Sequence, residues 1–219
     1  MIEAILLDLD GVLVHTDEFH YLAWQALARR LGIPFTRAQG DRCRGVSRME
    51  SLDIVLEGTD RTFTAEEKAA LAEEKNRTYQ GYLAGMTPAD LSPETRDTLA
   101  GLRRRGYRLA LASGSKNAPL ILDRTGLRPL LDAAADGSCI TRSKPDPEIF
   151  LAAAGMLGTA PARCAAVDDA AAGVAAGKAA GMFTVAFGPA AKHLPGDTWA
   201  QDIGGLLTIF PGPGEEADA

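Results

Sequence analysis

Two aspartates stand two residues apart, Asp8 and Asp10 in Asp8-Leu9-Asp10-Gly11, directly after the first apolar run of the chain. Side chains alternate along an extended segment, so Asp8 and Asp10 project to one side while Leu7 and Leu9 pack to the other. Two carboxylates that close repel unless a cation lies between them or they share a proton. One reading makes Asp8 a nucleophile and metal ligand and Asp10 a general acid/base. The other is a plain Asp-x-Asp-Gly turn, because aspartate and glycine are ordinary turn formers.

Three more groups fall at the ends of later apolar runs. Ser113, in Ala112-Ser113-Gly114-Ser115-Lys116-Asn117, offers a hydroxyl and the amides of a helix start to a phosphoryl group. Lys144, in Ser143-Lys144-Pro145, is expected to begin a helical segment and supplies a cation. Asp168 and Asp169 add hard oxygen donors of the kind that suit Mg²⁺. Each has a bland counterpart: a Ser/Gly loop, a surface lysine before a proline, an exposed acidic pair. Four such coincidences at strand ends, in this order, favour the chemical reading.

The elements that must position these groups follow from the hydrophobic pattern. Ile2 to Leu7 is nearly continuously apolar, as a strand buried on both faces of a parallel sheet would be. Similar runs occupy Arg108 to Ala112, Cys164 to Val167 and Phe183 to Phe187, with a weaker one near Leu130 to Ala134. Helical stretches separate them: one capped by Ser92 with Pro93 and Glu94 in its first turn and Gly106 at its end, others near Asn117 to Thr125, Pro147 to Gly155 and Ala170 to Gly181. Strands alternating with helices predict an α/β fold, a doubly wound parallel-sheet core with its site at the carboxyl ends of the strands.

From about His15 to Met86 the alternation stops. Phe19-Leu22-Ala23-Ala26-Leu27 and then Glu66 to Leu83 carry helical periodicity with no convincing strand. The expected organisation is a core from residues 1–15 and 88–210, an inserted helical cap at 16–87, and a flexible acidic tail at 211–219. Hinges are expected near Val14 to Thr16 and Thr87 to Leu91.

The chain has 219 residues, 46% hydrophobic and 24% charged, an ordinary globular composition. With 23 Lys plus Arg against 29 Asp plus Glu, the net charge of −6 argues against nucleic acid and against an anionic membrane surface. An anionic ligand must then be held by a local cluster of cations. Cys43, Cys139 and Cys164 lie far apart with no zinc-type spacing, so reduced thiols and a cytoplasmic location are expected. The first residues lack a basic region and meet Glu3 early, so no secretory leader is expected, nor any membrane span.

With Asp8-Leu9-Asp10-Gly11-Val12, Ser113, Lys144-Pro145 and Asp168-Asp169 together, the chain resembles the haloacid-dehalogenase-like superfamily, over nearly its whole length to about Gly188. Within it the chain looks most like the β-phosphoglucomutases. That narrower likeness rests on cap residues Thr16, His20 and Trp24, on Arg44-Gly45-Val46-Ser47-Arg48 with Ser51, on Lys75-Asn76, and on Ser113-Gly114-Ser115-Lys116-Asn117. Two positions depart from the mutase pattern, which usually has Glu-Asp-Ser at Asp168-Asp169-Ala170 and a lysine at Arg44; the Asp-Asp form is common in sibling phosphatases.

The resemblance implies an aspartyl phosphate on Asp8 and one Mg²⁺ per chain. The metal would be held by Asp8, the Asp10 backbone carbonyl and Asp169, with Asp168 behind these ligands rather than directly on the metal. Ser113 and Lys144 would neutralise the transferred group, and Asp10 would move protons to and from sugar oxygens. β-D-Glucose 1-phosphate would become glucose 6-phosphate through a β-glucose 1,6-bisphosphate that also primes the enzyme. Arg48, with Lys116 and Asn117, would grip the non-reacting phosphate, guanidinium being suited to bidentate contact. His20 and Lys75 would meet sugar hydroxyls, with Gly45, Val46, Ser47, Ser51, Trp24 and Ser115 completing the substrate site. The expected partner is a small phosphosugar and the expected state a monomer. A sugar-phosphate phosphatase using the same motifs is the alternative, and a non-catalytic phospho-acceptor module of response-regulator type a remote one.

Overall fold

The structure, a computed structural model, describes residues 1–43 and 46–212. It divides into two units, one of Met1–His15 with the chain from Met86 onward, the other Thr16–Gly85. The second crossing falls at Gly85–Met86, two residues before the boundary expected from sequence. Thr87 already belongs to the core unit, where it caps a 3₁₀ turn at Pro88–Asp90 through a reciprocal pair with Asp90.

Among the described residues the core unit builds a six-stranded, all-parallel sheet in the order β3-β2-β1-β4-β5-β6. The strands are β1 (Ala4–Leu7), β2 (Arg108–Ala112), β3 (Ala133–Ala135), β4 (Cys164–Asp168), β5 (Phe183–Phe187) and β6 (Thr198–Ala200). Every β1 side chain is fully buried, as its unbroken apolar run requires. The order reverses direction at β1, so the crevice beyond the carboxyl ends of β1 and β4 is a topological switch point.

Among the described residues the α-helices are α1 (Asp17–Leu31), α2 (Arg37–Arg42), α3 (Arg48–Leu56), α4 (Ala65–Ala84), α5 (Pro93–Arg104), α6 (Ala118–Thr125), α7 (Glu148–Leu157), α8 (Ala171–Ala179) and α9 (Gly205–Ile209). The first four make the second unit and the rest belong to the core unit. Helix α7 packs on β1, β2 and β3, and α8 on β4 and β5. Ile149, Phe150 and Ala153 of α7 meet Leu6, Ala110, Ala112 and Ala166 in one apolar cluster. In the other unit Trp24, Leu27, Leu52, Val55 and Leu71 form a separate core.

Two expectations need correction. The weak apolar run near Leu130 makes a 3₁₀ turn at Arg128–Leu130, opened by Pro129 near its start, and the strand begins only at Ala133. Asp132 accepts from Leu109 N at 2.8 Å and docks the turn beside β2. Lys144 does not begin a helix: it lies in the connection between β3 and α7, and the helix starts four residues later at Glu148, after Pro145 and Pro147. The edge strand β6, Thr-Trp-Ala, was not foreseen because three residues are too few to show a period.

Helix–sheet contact also dictates where glycine stands. A Cβ at Gly177 of α8 would lie 2.7 Å from Ala166 Cβ and 2.9 Å from Thr184 Cγ2, whereas one at Gly155 of α7 would meet nothing within 4 Å. Gly177→Ala is therefore expected to destabilise the protein by about 1–3 kcal/mol through overpacking. Gly155→Ala, in the same type of helix, should stabilise it by up to about 1 kcal/mol. Urea unfolding of both variants checks the opposite signs.

Candidate active site

Asp8 follows β1 and continues its ladder, donating its backbone N–H to Val167 O at 3.0 Å. Asp168 is the last residue of β4, one beyond Val167, which pairs with Leu7 of β1. The sheet thus sets two carboxylates side by side, and Lys144 joins them: its Nζ donates to Asp8 Oδ1 at 2.6 Å and to Asp168 Oδ2 at 2.7 Å. Asp168 is almost fully buried, and its Oδ1 also accepts from Ala170 N at 3.0 Å. Both Asp168 oxygens are therefore already engaged.

Asp8, Asp168 and Asp169 each present a carboxylate oxygen within 4.8 Å of the others. Three carboxylates gathered this closely offer the hard oxygen donors that suit a divalent cation. The Asp10 carboxylate is not part of that trio, though its charge is felt by Asp8. Burial raises the Asp8 carboxyl to about 7; Lys144 opposes this, and the Asp168 and Asp10 charges add to it. Burial alone would lower the Lys144 ammonium, but Asp168 and Asp8 outweigh it and the net shift is upward.

Two glycines leave room for these groups. A Cβ on Gly173, in the first turn of α8, would overlap the Asp168 carboxylate. Gly11, at φ +87, takes a left-handed conformation, and a Cβ there would overlap the Asp169 carboxylate. Gly173 is missed from sequence because nothing in Ala170-Ala171-Ala172-Gly173 marks a contact back across the strand–helix turn.

Ser113 lies just past β2, buried, its N–H donating to Ala135 O at 3.1 Å and its Oγ accepting from Ser115 N at 3.2 Å. Ser115 Oγ in turn accepts from Asn117 N at 3.2 Å, opening α6. Lys116 between them is exposed and Asn117 buried.

In the other unit α1 and α4 bring Thr16, His20, Trp24, Lys75 and Tyr79 together. Thr16 Oγ1 and Tyr79 Oη are 2.9 Å apart, and the His20 ring lies against Tyr79 with centroids at 4.0 Å and planes tilted by 31°. The buried Lys75 ammonium lies 4.7 Å over Trp24 and 4.8 Å over Tyr79, and donates to His20 Nδ1 at 2.8 Å. An ammonium has no acceptor, so His20 Nδ1 carries no proton. Burial first, then the Lys75 and Arg48 charges, lowers the His20 imidazole to about 3. Tyr79 is the member that sequence reading overlooked; its spacing of four from Lys75, matching that of His20 from Thr16 and Trp24 from His20, was the available signal.

The remaining cap residues divide. Arg48 opens α3 and lies 3.6 Å from Glu73. Ser47 is the N-cap of α3 in a capping box with Glu50, so its hydroxyl is engaged by Glu50 N at 3.2 Å. Ser51 is buried in α3 and donates to Cys43 O, at the C-terminal end of α2, at 3.3 Å. Trp24 is part of the cap's apolar core, and Val46 is exposed. Gly45, with Arg44, lies outside the described residues, as does the tail from 213 to 219.

Fold and site together define a doubly wound α/β protein with a lysine-bridged aspartate cluster at its switch point and a helical insertion after the first strand. Residues 2–181 match the family of haloacid dehalogenase-like hydrolases, and the chain belongs to that family. It is 43% identical over 197 residues to the β-phosphoglucomutase of Bacillus subtilis strain 168, covering 89% of this chain and 87% of that one. It is 30% identical to a phosphorylated carbohydrates phosphatase of Thermotoga maritima, over 82% of each. A crystal structure of β-phosphoglucomutase from Clostridium difficile shares its fold with a TM-score of 0.85 at 36% identity, over 94% of this chain and 93% of that one. The protein is thus a phosphoryl-handling enzyme similar to the β-phosphoglucomutases. No helix among the described residues is long and apolar enough to cross a membrane.

The neutral His20 has a stability consequence. Its folded value of about 3 lies below the ordinary 6.5, so the folded state resists protonation; the stability it contributes is complete above pH 6.5 and is lost as pH falls towards 3. His20→Gln should remove that slope, worth about 1.4 kcal/mol per pH unit. Urea midpoints of both proteins between pH 6.5 and 4.5 are expected to converge as pH falls; a constant difference would contradict the shift.

Proposed function

We propose that the protein is a β-phosphoglucomutase, interconverting β-D-glucose 1-phosphate and glucose 6-phosphate. The observation that carries this is the Asp8–Lys144–Asp168 cluster, together with 43% identity to a β-phosphoglucomutase along most of the chain. Asp8 attacks the phosphorus of the bisphosphate and holds the phosphoryl group as an aspartyl phosphate. Lys144 and Ser113 offset the charge on its oxygens, which is most of what a protein can contribute to such a transfer. Asp10 gives a proton to the departing sugar oxygen and takes one from the attacking hydroxyl in the reverse step. Mg²⁺, with Asp8, Asp169 and the Asp10 carbonyl as its holders, supplies further neutralisation of the moving group when bound. β-Glucose 1,6-bisphosphate is the intermediate and primer, and the protein works as a cytoplasmic monomer.

Mutase action requires a grip on the phosphate that is not reacting, and Arg48, Lys116 and Asn117 are the groups assigned to it. A second reading, hydrolysis of a sugar phosphate, is favoured by Asp168-Asp169-Ala170 and by the likeness to the Thermotoga phosphatase. Incubation with Mg²⁺, β-glucose 1-phosphate and a trace of the 1,6-bisphosphate separates the two. Glucose 6-phosphate with little free phosphate is expected; stoichiometric phosphate release would establish the hydrolase instead. Arg48→Ala should lower mutase kcat/KM by about 10–100-fold, the worth of one charged phosphate contact, while sparing hydrolysis of a small phosphate ester. Equal loss of both activities, measured side by side, would remove Arg48 from the distal site.

A further inference from the structure

The connection between β3 and α7, residues 136–147, forms neither helix nor strand. It nevertheless holds Lys144 Nζ within 2.7 Å of carboxylates on two different strand ends. A segment without regular hydrogen bonds can do this only if it is tied down at other points.

Asp146 N donates to Ser143 O at 3.0 Å across Lys144, and the side chain that ties the chain ahead of the lysine is Glu148, the first residue of α7. Its carboxylate accepts from Arg142 N at 2.8 Å, from Thr141 N at 3.1 Å, and from Thr141 Oγ1 at 3.1 and 3.2 Å; Arg142 Nε lies 3.6 Å away. The Thr141 and Arg142 amides hold the Glu148 carboxyl below the ordinary carboxylate range, so it stays an anionic acceptor. Glu148 is anchored in its turn. Its N–H donates to Asp146 Oδ1 at 3.0 Å, and the next two residues, Ile149 and Phe150, are fully buried against the sheet. The Phe150 ring also lies 5.0 Å from Lys144 Nζ, so the helix that carries the clamp supports the ammonium as well.

We propose that Glu148 is a positioning residue for Lys144: it fastens the chain two residues ahead of the lysine to the first turn of α7, so that the ammonium bridges Asp8 and Asp168. It touches no reacting atom. The proposal rests on the reading of Lys144 as the cation that offsets phosphoryl charge, but the position of the ammonium can be measured without that reading.

Competitive acetylation of the full chain, read by mass spectrometry, compares Lys144 with the exposed Lys116 and Lys178. In Glu148→Ala, Lys144 is expected to label several-fold faster while the other two keep their rates. Labelling of Lys144 at the wild-type rate overturns the proposal. Glu148→Gln retains one acceptor oxygen and should fall between; if the alanine variant does not fold, wild-type labelling in the glutamine variant overturns it equally. In the mutase assay Glu148→Ala should lose up to about 10²-fold in kcat with little change in KM, the signature of a misplaced group. Glutamine should recover part of that loss. Raised KM at unchanged kcat counts against the proposal, whereas a wild-type enzyme inactive on phosphosugars removes the functional reading and leaves labelling to decide the clamp.

Discussion

One ammonium shared between the buried Asp168 and the half-buried Asp8 is the interaction on which the site of the core unit depends. Parallel pairing places Leu7 opposite Val167, so the residues that follow, Asp8 and Asp168, emerge side by side at the switch point. Neighbouring strands are about 4.8 Å apart, and like charges at that separation in a poorly solvated crevice are costly. Lys144 relieves the repulsion but cannot cancel it, because Asp169 adds a third carboxylate to the same cluster. The upward shift of Asp8, from burial and then from neighbouring carboxylates, and that of Lys144, from Asp168 and Asp8 against burial, both express too much negative charge for one cation. A site in that condition is prepared for more positive charge, and what a phosphoryl group needs there is a cation as well. The missing Cβ atoms of Gly11 and Gly173 let the aspartates approach so closely.

The helical unit has a buried ammonium of its own, in different company. Lys75 lies over the faces of Trp24 and Tyr79 and donates to an imidazole that its own charge helps keep neutral. Aromatic faces stabilise a cation without neutralising it, whereas a carboxylate would cancel its field. The core unit gathers carboxylates around one lysine, and in the other unit a lysine lies over two aromatic faces and beside a neutral imidazole. For a chain of net charge −6 this matters, since overall charge governs long-range attraction while the local field governs what a cleft will hold.

Much of this was legible in the sequence. Apolar runs at Ile2 to Leu7, broken only by Glu3, and at Cys164 to Val167 marked buried parallel strands, and Ser92-Pro93 and Gly106 marked the ends of α5, because these signals come from local chemistry that a window of residues carries whole. The run near Leu130 and the three-residue β6 were misplaced or missed, because in short segments neighbours in space outweigh propensity. Ser51 shows the same limit: the resemblance gives it to the substrate site, and only the structure shows its hydroxyl donating to Cys43 O from inside α3.

By itself the sequence determined which residues could do the chemistry: carboxylates after two strands, a serine after a third, a lysine before a proline, and a helical insertion interrupting the alternation. Tertiary structure alone decided how they are held. That Lys144 spans Asp8 and Asp168, that Gly173 makes room for a carboxylate, that Tyr79 completes the cluster around Lys75, and that Glu148 ties down the Lys144 loop are consequences of packing between distant segments or around turns. Residue type and spacing record the capacity for a reaction. The distances that pair a charge with its partner arise only when the sheet and its helices close on one another.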